Sequence, residues 1–405
     1  TPHYTNFSLW DTYRAKQPLM TLIQEERAAH FVNSMLDICD QQGRLPVWHL
    51  WGNETNCMVG DPAIPVVADA IVKGITPQEE WQTLYDCLAY GTENVHPEVS
   101  STGRLGHEYY NTLGYVPYDA GIHENVARTL EYAYNDWCIL QIAKKLGRPA
   151  DEIEKWESRS GNWRNVFDPS HNLMRGRNKD GSFQEPFSPY KWGGAFTEGN
   201  SWHYTWSVFH DVDGLSDAMG GREEFVRMLD SVFVVPPVYD DSYYGYRIHE
   251  ITEMQVANMG NYAHGNQPAQ HMIYLYDWAG QPWKTQKWVR EVMNRLYSAD
   301  PDGYCGDEDN GQTSAWYVFS ALGFYPVCPA SDEYAVGTPL FKNAVIHLEN
   351  GKTLEINAKG NDAHTPYVSD FRVDRRKAQS WFLSHEEIAD GAVIDFYMSE
   401  EPSDR

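Results

Sequence analysis

The chain has no apolar run of the roughly 18 residues that a membrane-crossing helix needs, so no membrane span is expected. Cysteine is sparse: Cys 6 in 405 residues, at positions 39, 57, 87, 138, 305 and 328, with no Cys-x-x-Cys pair. That spacing excludes a thiolate zinc site and a dense disulfide framework, and most of the six read as buried thiols. Basic residues are few. Lys and Arg number 32 against 57 Asp and Glu, for a formal net charge of -25. A surface this acidic repels phosphates, which excludes nucleic acid and anionic membrane as partners and fits a neutral ligand. It also disfavours a polysaccharide lyase, whose uronate substrate wants a basic cleft. No secretory leader precedes Thr1, but a chain that starts without Met carries no information on that point.

Aromatic side chains are plentiful instead, with 15 Trp and 26 Tyr. Their faces pack on the apolar side of a pyranose and their polar tips hydrogen-bond, which suits a sugar site. A large helical core would use them equally well.

Helical periodicity runs through most of the chain. It predicts helices near 18–39, 62–73, 76–91, 124–146 and 151–166. Further helices are expected up to Gly220-Gly221, then over 222–233, 268–279, 284–297 and 312–322. Polar, aromatic loops fall at every second connection. That pattern fits a toroid of helical hairpins with the loops gathered at one mouth; an ordinary bundle is the alternative. After Pro326 the period changes. Residues 343–358 read as a strand, an Asn-Gly turn and a second strand. The chain thus divides into a helical part, 1–326, and a β-rich part, 327–405.

The run Gly306-Asp307-Glu308-Asp309-Asn310-Gly311 puts three carboxylates in a row on a Gly-bounded loop before a helix. Like charges crowded there favour a cation, a proton or polarised water. They could equally only cap the helix. Three more loops, around 54, 198 and 250, combine carboxylates with Trp, His or Asn. Glycoside hydrolysis needs two carboxyl groups across the scissile bond, and inverting enzymes hold them about 6.5–9.5 Å apart to admit water. Neighbours on one loop cannot flank a bond from both sides. One partner is therefore Glu198 or Glu250, and the other Asp307 or Asp309. Glu198, near Phe196 and Trp202, suits the acid, because apolar surroundings keep a carboxyl protonated. Asp309 suits the base. Oxygen-rich loops without Cys favour calcium or magnesium over zinc, although no EF-hand spacing is present.

These residues sit in longer runs: Gly52-Asn-Glu-Thr-Asn-Cys-Met-Val-Gly, Thr197-Glu-Gly-Asn-Ser-Trp-His-Tyr-Thr-Trp, Ala263-His-Gly-Asn-Gln-Pro, Gly306-Asp-Glu-Asp-Asn-Gly-Gln and Ser314-Ala-Trp-Tyr-Val-Phe-Ser-Ala-Leu-Gly. In these runs, in one order along nearly the whole chain, the protein resembles the catalytic domain of glycoside hydrolase family 92, calcium-dependent exo-acting α-mannosidases of bacteria. The resemblance implies an (α/α)6 toroid and an inverting mechanism. It implies Glu198 as general acid and Asp309 as base, with Asp307 assisting. Members that cut α-1,2 linkages look similar at His249-Glu250, which there contact the leaving-group sugar. Asp11, Trp51, Glu54, Trp202 and His203 are expected to line the sugar site. Asn266, Glu253 and Asp309 are expected to hold Ca2+. The family usually has Gln where His203 stands. Its amino-terminal β-sandwich domain is expected on another chain or segment. The implied substrate is a mannose-containing glycan such as an N-glycan or mannan, and the implied location is secreted, periplasmic or cell-surface. An α-1,3-mannosidase, a mannosyl-phosphate hydrolase and an inert mannose-binding module remain as alternatives. Gln in place of Glu198 would have pointed to the second of these.

Overall fold

Residues 125–146 form a helix against which residues 63–72, 81–91 and 150–160 pack. Gly147 stops it in the left-handed conformation, and Lys144 and Lys145 sit in its last turn, where cations suit the helix dipole. Its side chains are buried on almost every side, Glu131, Asn135 and Asp136 among them, and buried polar groups of this kind need partners. The computed structural model describes residues 2–94 and 104–403. Among them the helices are α1 (Leu9–Thr12), α2 (Lys16–Ile23), α3 (Glu25–Gln42), α4 (Ala63–Val72), α5 (Trp81–Gly91), α6 (His107–Leu113), α7 (Asn125–Leu146), α8 (Ala150–Ser160), α9 (Ser201–Tyr204), α10 (Val212–Met219), α11 (Arg222–Val234), α12 (His249–Ala257), α13 (Pro282–Arg295), α14 (Gln312–Leu322) and α15 (His385–Ala389). They pack as successive hairpins, α2 on α3, α7 on α8 and α10 on α11, in an (α/α)6 toroid.

Several expected helices are interrupted. The one expected over 18–39 breaks at Gln24, whose φ and ψ of -146° and 61° leave the helical region. The stretch after Phe196 holds only the short α9, then a turn, then α10. Residues 267–269 and 272–277 are 3-10 turns rather than an α-helix, with Pro268 at the start of the first. Residues 249–257, not expected to be helical, form α12.

The carboxyl-terminal strands form two sheets. Phe324–Tyr325, Glu333–Val336 and Phe382–Ser384 pair antiparallel. A five-stranded sheet contains the expected hairpin: Asn343–His347 pairs antiparallel with Thr353–Lys359 through the turn at Asn350-Gly351. Thr353–Lys359 then lies parallel to Ala392–Ser399. Leu354, Ile356 and Ala358 point inward and join the same apolar cluster as Trp316 and Phe319 of α14.

Buried charges tie the loops to α7. Arg104 pairs with Asp136 and with Asp61 at 2.8 Å each, and Arg44 reaches Asp61 at 2.8 Å. Arg14 lies 3.5 Å from Glu131. Gly60 admits this packing. A Cβ there would stand 2.8 Å from the Glu131 Cβ, and its φ of +84° disfavours any side chain. The cysteine reading needs one correction. Cys39 of α3 and Cys87 of α5 form a disulfide, because packing of the two helices brings together residues 48 apart. Cys57 is exposed, Cys138 and Cys328 are buried, and Cys305 is half-buried.

Candidate active site

The residues 193–200 form a loop that presents Glu198. The Glu198 φ of +45° is left-handed, an uncommon state for a side-chain-bearing residue that its surroundings must enforce. The Glu198 N–H donates to Tyr244 Oη at 3.2 Å, and Asn266 Nδ2 donates to the Glu198 carbonyl at 3.0 Å. Asn266 Nδ2 also reaches Glu198 Oε2 at 3.3 Å. The Glu198 carboxyl is pushed up to about 7. Burial is the main cause, with Glu250 and Asp309 adding repulsion and the Asn266 hydrogen bond opposing them.

The three carboxylates at 307–309 divide their tasks. Glu308 caps α14: its oxygens accept from Gly311 N–H at 2.9 Å, from Ser314 N–H at 3.2 Å and from Ser314 Oγ at 2.6 Å. The capping reading therefore holds for the middle carboxylate alone. Asp309, at φ +55°, turns away from the helix and accepts from Gln267 Nε2. Burial raises its pKa, with Asp307 and Glu308 adding to the shift. Asp307 is exposed and lies 3.9 Å from His249 Nε2.

Glu198 and Asp309 are thus held by consecutive residues. Asn266 grips the first and Gln267 the second. Asp11 joins them from α1. Burial, then repulsion from Asp309 and Glu198, drives its carboxyl up to about 8, while Arg14 and a hydrogen bond with Trp48 pull the other way. Burial and mutual repulsion thus hold all three carboxyls above the ordinary carboxylate range.

A second acidic group adjoins it. His249 Nδ1 is 2.8 Å from Glu253 Oε1, and His249 Nε2 is 3.2 Å from Glu250 Oε1. One ligand atom each from His249, Glu253 and Asp307 lies within 4.8 Å of the others. Burial lowers the His249 pKa, but the Glu253 hydrogen bond and the nearby carboxylates raise it further. Among the described residues, the buried atoms Glu250 Oε2, Glu253 Oε2 and Gln267 Oε1 have no hydrogen-bond partner. Bare carboxylate and amide oxygens suit a hard divalent cation. The group can hold an ion.

Residues 1–400 match the glycosyl hydrolase family 92 catalytic domain. The chain belongs to this family. A family 92 inverting mannosidase from Bacteroides thetaiotaomicron VPI-5482 is 45% identical, with a TM-score of 0.89. The match covers 99% of this chain and 54% of that one. A family 92 α-mannosidase from Bacteroides thetaiotaomicron, solved with mannoimidazole, is 37% identical with a TM-score of 0.89, over 99% of this chain and 52% of that one. A secreted glycosidase of Arthroderma benhamiae, itself uncharacterised, is 27% identical over 402 residues, 91% of this chain and 49% of its own. The chain spans about half the length of the relatives it matches.

On this family 92 scaffold the expected site residues separate. Glu198, Asp309, Asp11 and Glu250 come together. His249, Glu253 and Asp307 form the adjoining group. The Asn266 amide is engaged at both ends: its Nδ2 donates to Glu198 and its Oδ1 accepts from the Gln267 N–H. His203 stands in α9, directly after the loop that carries Glu198. It is buried, its Nδ1 accepts from Asn200 N–H at 3.0 Å, and its Nε2 donates to the Asn261 carbonyl at 2.8 Å. Burial pulls its pKa down to about 4, so it is a neutral partner in the capping box that starts α9. Glu54 braces its own loop by accepting from the N–H groups of Val47, Trp48 and Asn56. Trp202 is buried, whereas Trp51 is 81% exposed. Gln267 and Tyr244 were not expected. Gln267 lies inside the Ala263-His-Gly-Asn-Gln-Pro run, which marked the place; nothing in the sequence around Tyr244 points to the acid.

Proposed function

We propose that the protein is an exo-acting, inverting, calcium-dependent α-mannosidase that removes terminal α-1,2-linked mannose from glycans. The observation that carries this reading is the pair Glu198 and Asp309, held on separate loops by Asn266 and Gln267 and both raised in pKa. A carboxyl that keeps its proton to about pH 7 can give it to the leaving oxygen. Asp309 accepts the proton of a water that attacks the opposite face of the ring, while Gln267 fixes its orientation. Asp307, beside His249, assists in placing that water. The sugar leaves as β-mannose. Members of the family that cut α-1,2 linkages look similar to this chain at His249-Glu250, and Glu250 lies close enough to Glu198 to push its pKa up, which supports the α-1,2 linkage.

Calcium is the cofactor this oxygen-rich donor set fits, with Glu253 and Asp307 as its holders; when bound it would grip the mannose O2 and O3 hydroxyls and ease ring distortion. The disulfide supports a site of action outside the reducing cytosol, secreted or on the cell surface.

The test is incubation with α-1,2-mannobiose, with added calcium and with a chelator, followed by proton NMR. Early release of β-mannose that requires calcium is the expected result. Early α-mannose would overturn inversion. No release, with mannose still bound, would make the protein a binding module.

A further inference from the structure

Tyr243 carries a ring that the mechanism above leaves without a task. It is 40% exposed. A single exposed aromatic needs no explanation, but this one is seated on the acid loop. A Cβ at Gly193 would stand 2.2 Å from Tyr243 Cδ1, and one at Gly194 would stand 3.8 Å from Cδ2. Both glycines have positive φ, +76° and +68°. The ring therefore rests directly on the backbone that leads to Glu198. Tyr244 meets it edge to face at 5.0 Å, and Tyr244 Oη accepts the Glu198 N–H. The exposed His123 packs on another edge at 5.7 Å. Next to it, Glu124 N–H donates to the Gly194 carbonyl at 2.6 Å. The ring is thus fixed in place relative to the acid.

A general acid must touch the oxygen it protonates, so what flanks Glu198 away from Asp309 is the leaving-group side of the bond. Aromatic faces offer a pyranose a flat apolar surface at small entropic cost. We infer that Tyr243, seated on Gly193 and Gly194 and flanked by His123 and Tyr244, is a stacking platform for sugar on the leaving-group side, and that it selects glycans continuing beyond the scissile linkage. This inference rests on the mannosidase reading and adds a specificity-determining residue to it.

The test compares the intact protein with Tyr243→Ala and Tyr243→Phe on α-1,2-mannotriose and on α-mannosyl fluoride, which has no sugar on the leaving side. Tyr243→Ala is expected to lower kcat/KM on mannotriose about tenfold and leave the fluoride unchanged. Tyr243→Phe, which keeps the ring, is expected to match wild type on both. Equal losses on the two substrates, or no loss on either, would overturn the platform while leaving the mannosidase reading intact. Wild-type protein inert on the fluoride as well as on the oligosaccharide would overturn both.

Discussion

Glu198→Gln is expected to stabilise the protein at alkaline pH while it slows turnover. Burial, then Glu250 and Asp309, moves this carboxyl from 4.5 up to about 7. The unfolded chain releases the proton near pH 4.5, whereas the folded chain keeps it until about 7. Between those values the folded state binds more protons. Stability therefore falls as pH rises through the window and stays at the lower level above it. At 1.36 kcal/mol per pH unit the loss is roughly 3 kcal/mol. Gln has the same shape, carries no charge and can still accept the Asn266 hydrogen bond. The variant should match wild type below the window and be about 3 kcal/mol more stable above it. With an unfolding entropy of about 2.1 cal/mol/K per residue over 405 residues, that gain is about 4 °C in Tm. Thermal unfolding of both proteins at about pH 5 and about pH 8 reads it. A variant no more stabilised at the higher pH would refute the claim that the fold holds this carboxyl against its charge. In turnover, the loss should be large on mannobiose, whose leaving oxygen needs a proton, and small on an activated aryl mannoside. Equal losses on both would remove Glu198 as the acid.

Asp309→Ala is expected to abolish hydrolysis of mannobiose and α-mannosyl fluoride alike, and fluoride turnover surviving in this variant would remove Asp309 as base. Asn266→Ala deletes a hydrogen bond that lowers the Glu198 pKa, so the alkaline limb of the kcat/KM profile should move to higher pH. Hydrogen bonds to charged groups contribute about 1.5–3 kcal/mol, and at 3.3 Å a shift near one unit is expected; an unmoved limb would show that the bond does not tune the acid. Joining residues 48 apart, the Cys39–Cys87 disulfide restricts the unfolded chain by about 4 kcal/mol in the chain-entropy account. The Cys39→Ser, Cys87→Ser double variant should melt about 5 °C lower, and an unchanged Tm would remove that contribution.

The fold was legible where periodicity was strong. The helices α4, α5, α7, α11 and α14 and the hairpin through Asn350-Gly351 lie close to the expected places. It was illegible where tertiary contacts override local pattern. Nothing in the apolar spacing around Gln24 announces a break between α2 and α3. Residues 267–277 coil into 3-10 turns whose partners are distant, such as the Trp206 carbonyl that meets His271 Nε2 at 2.7 Å. The carboxylates of the site could be picked from their loops and neighbours, because a Glu or Asp beside Gly and Trp is conspicuous. Their division of labour could not. Whether Glu308 or Asp309 caps α14 depends on which backbone turns left-handed. The disulfide was invisible for the same reason: pairing residues so far apart requires knowing how α3 lies on α5.

Asn266 and Gln267 are joined by a single peptide bond, and one grips the Glu198 carboxyl while the other grips that of Asp309. Insertions and deletions are therefore unequally tolerated around this mouth. A residue added between the two would rotate one amide away and release one of the two carboxyls from its hold. Residues added in the 236–247 stretch would reach Glu198 by another route, through the Tyr244 hydroxyl that accepts its N–H.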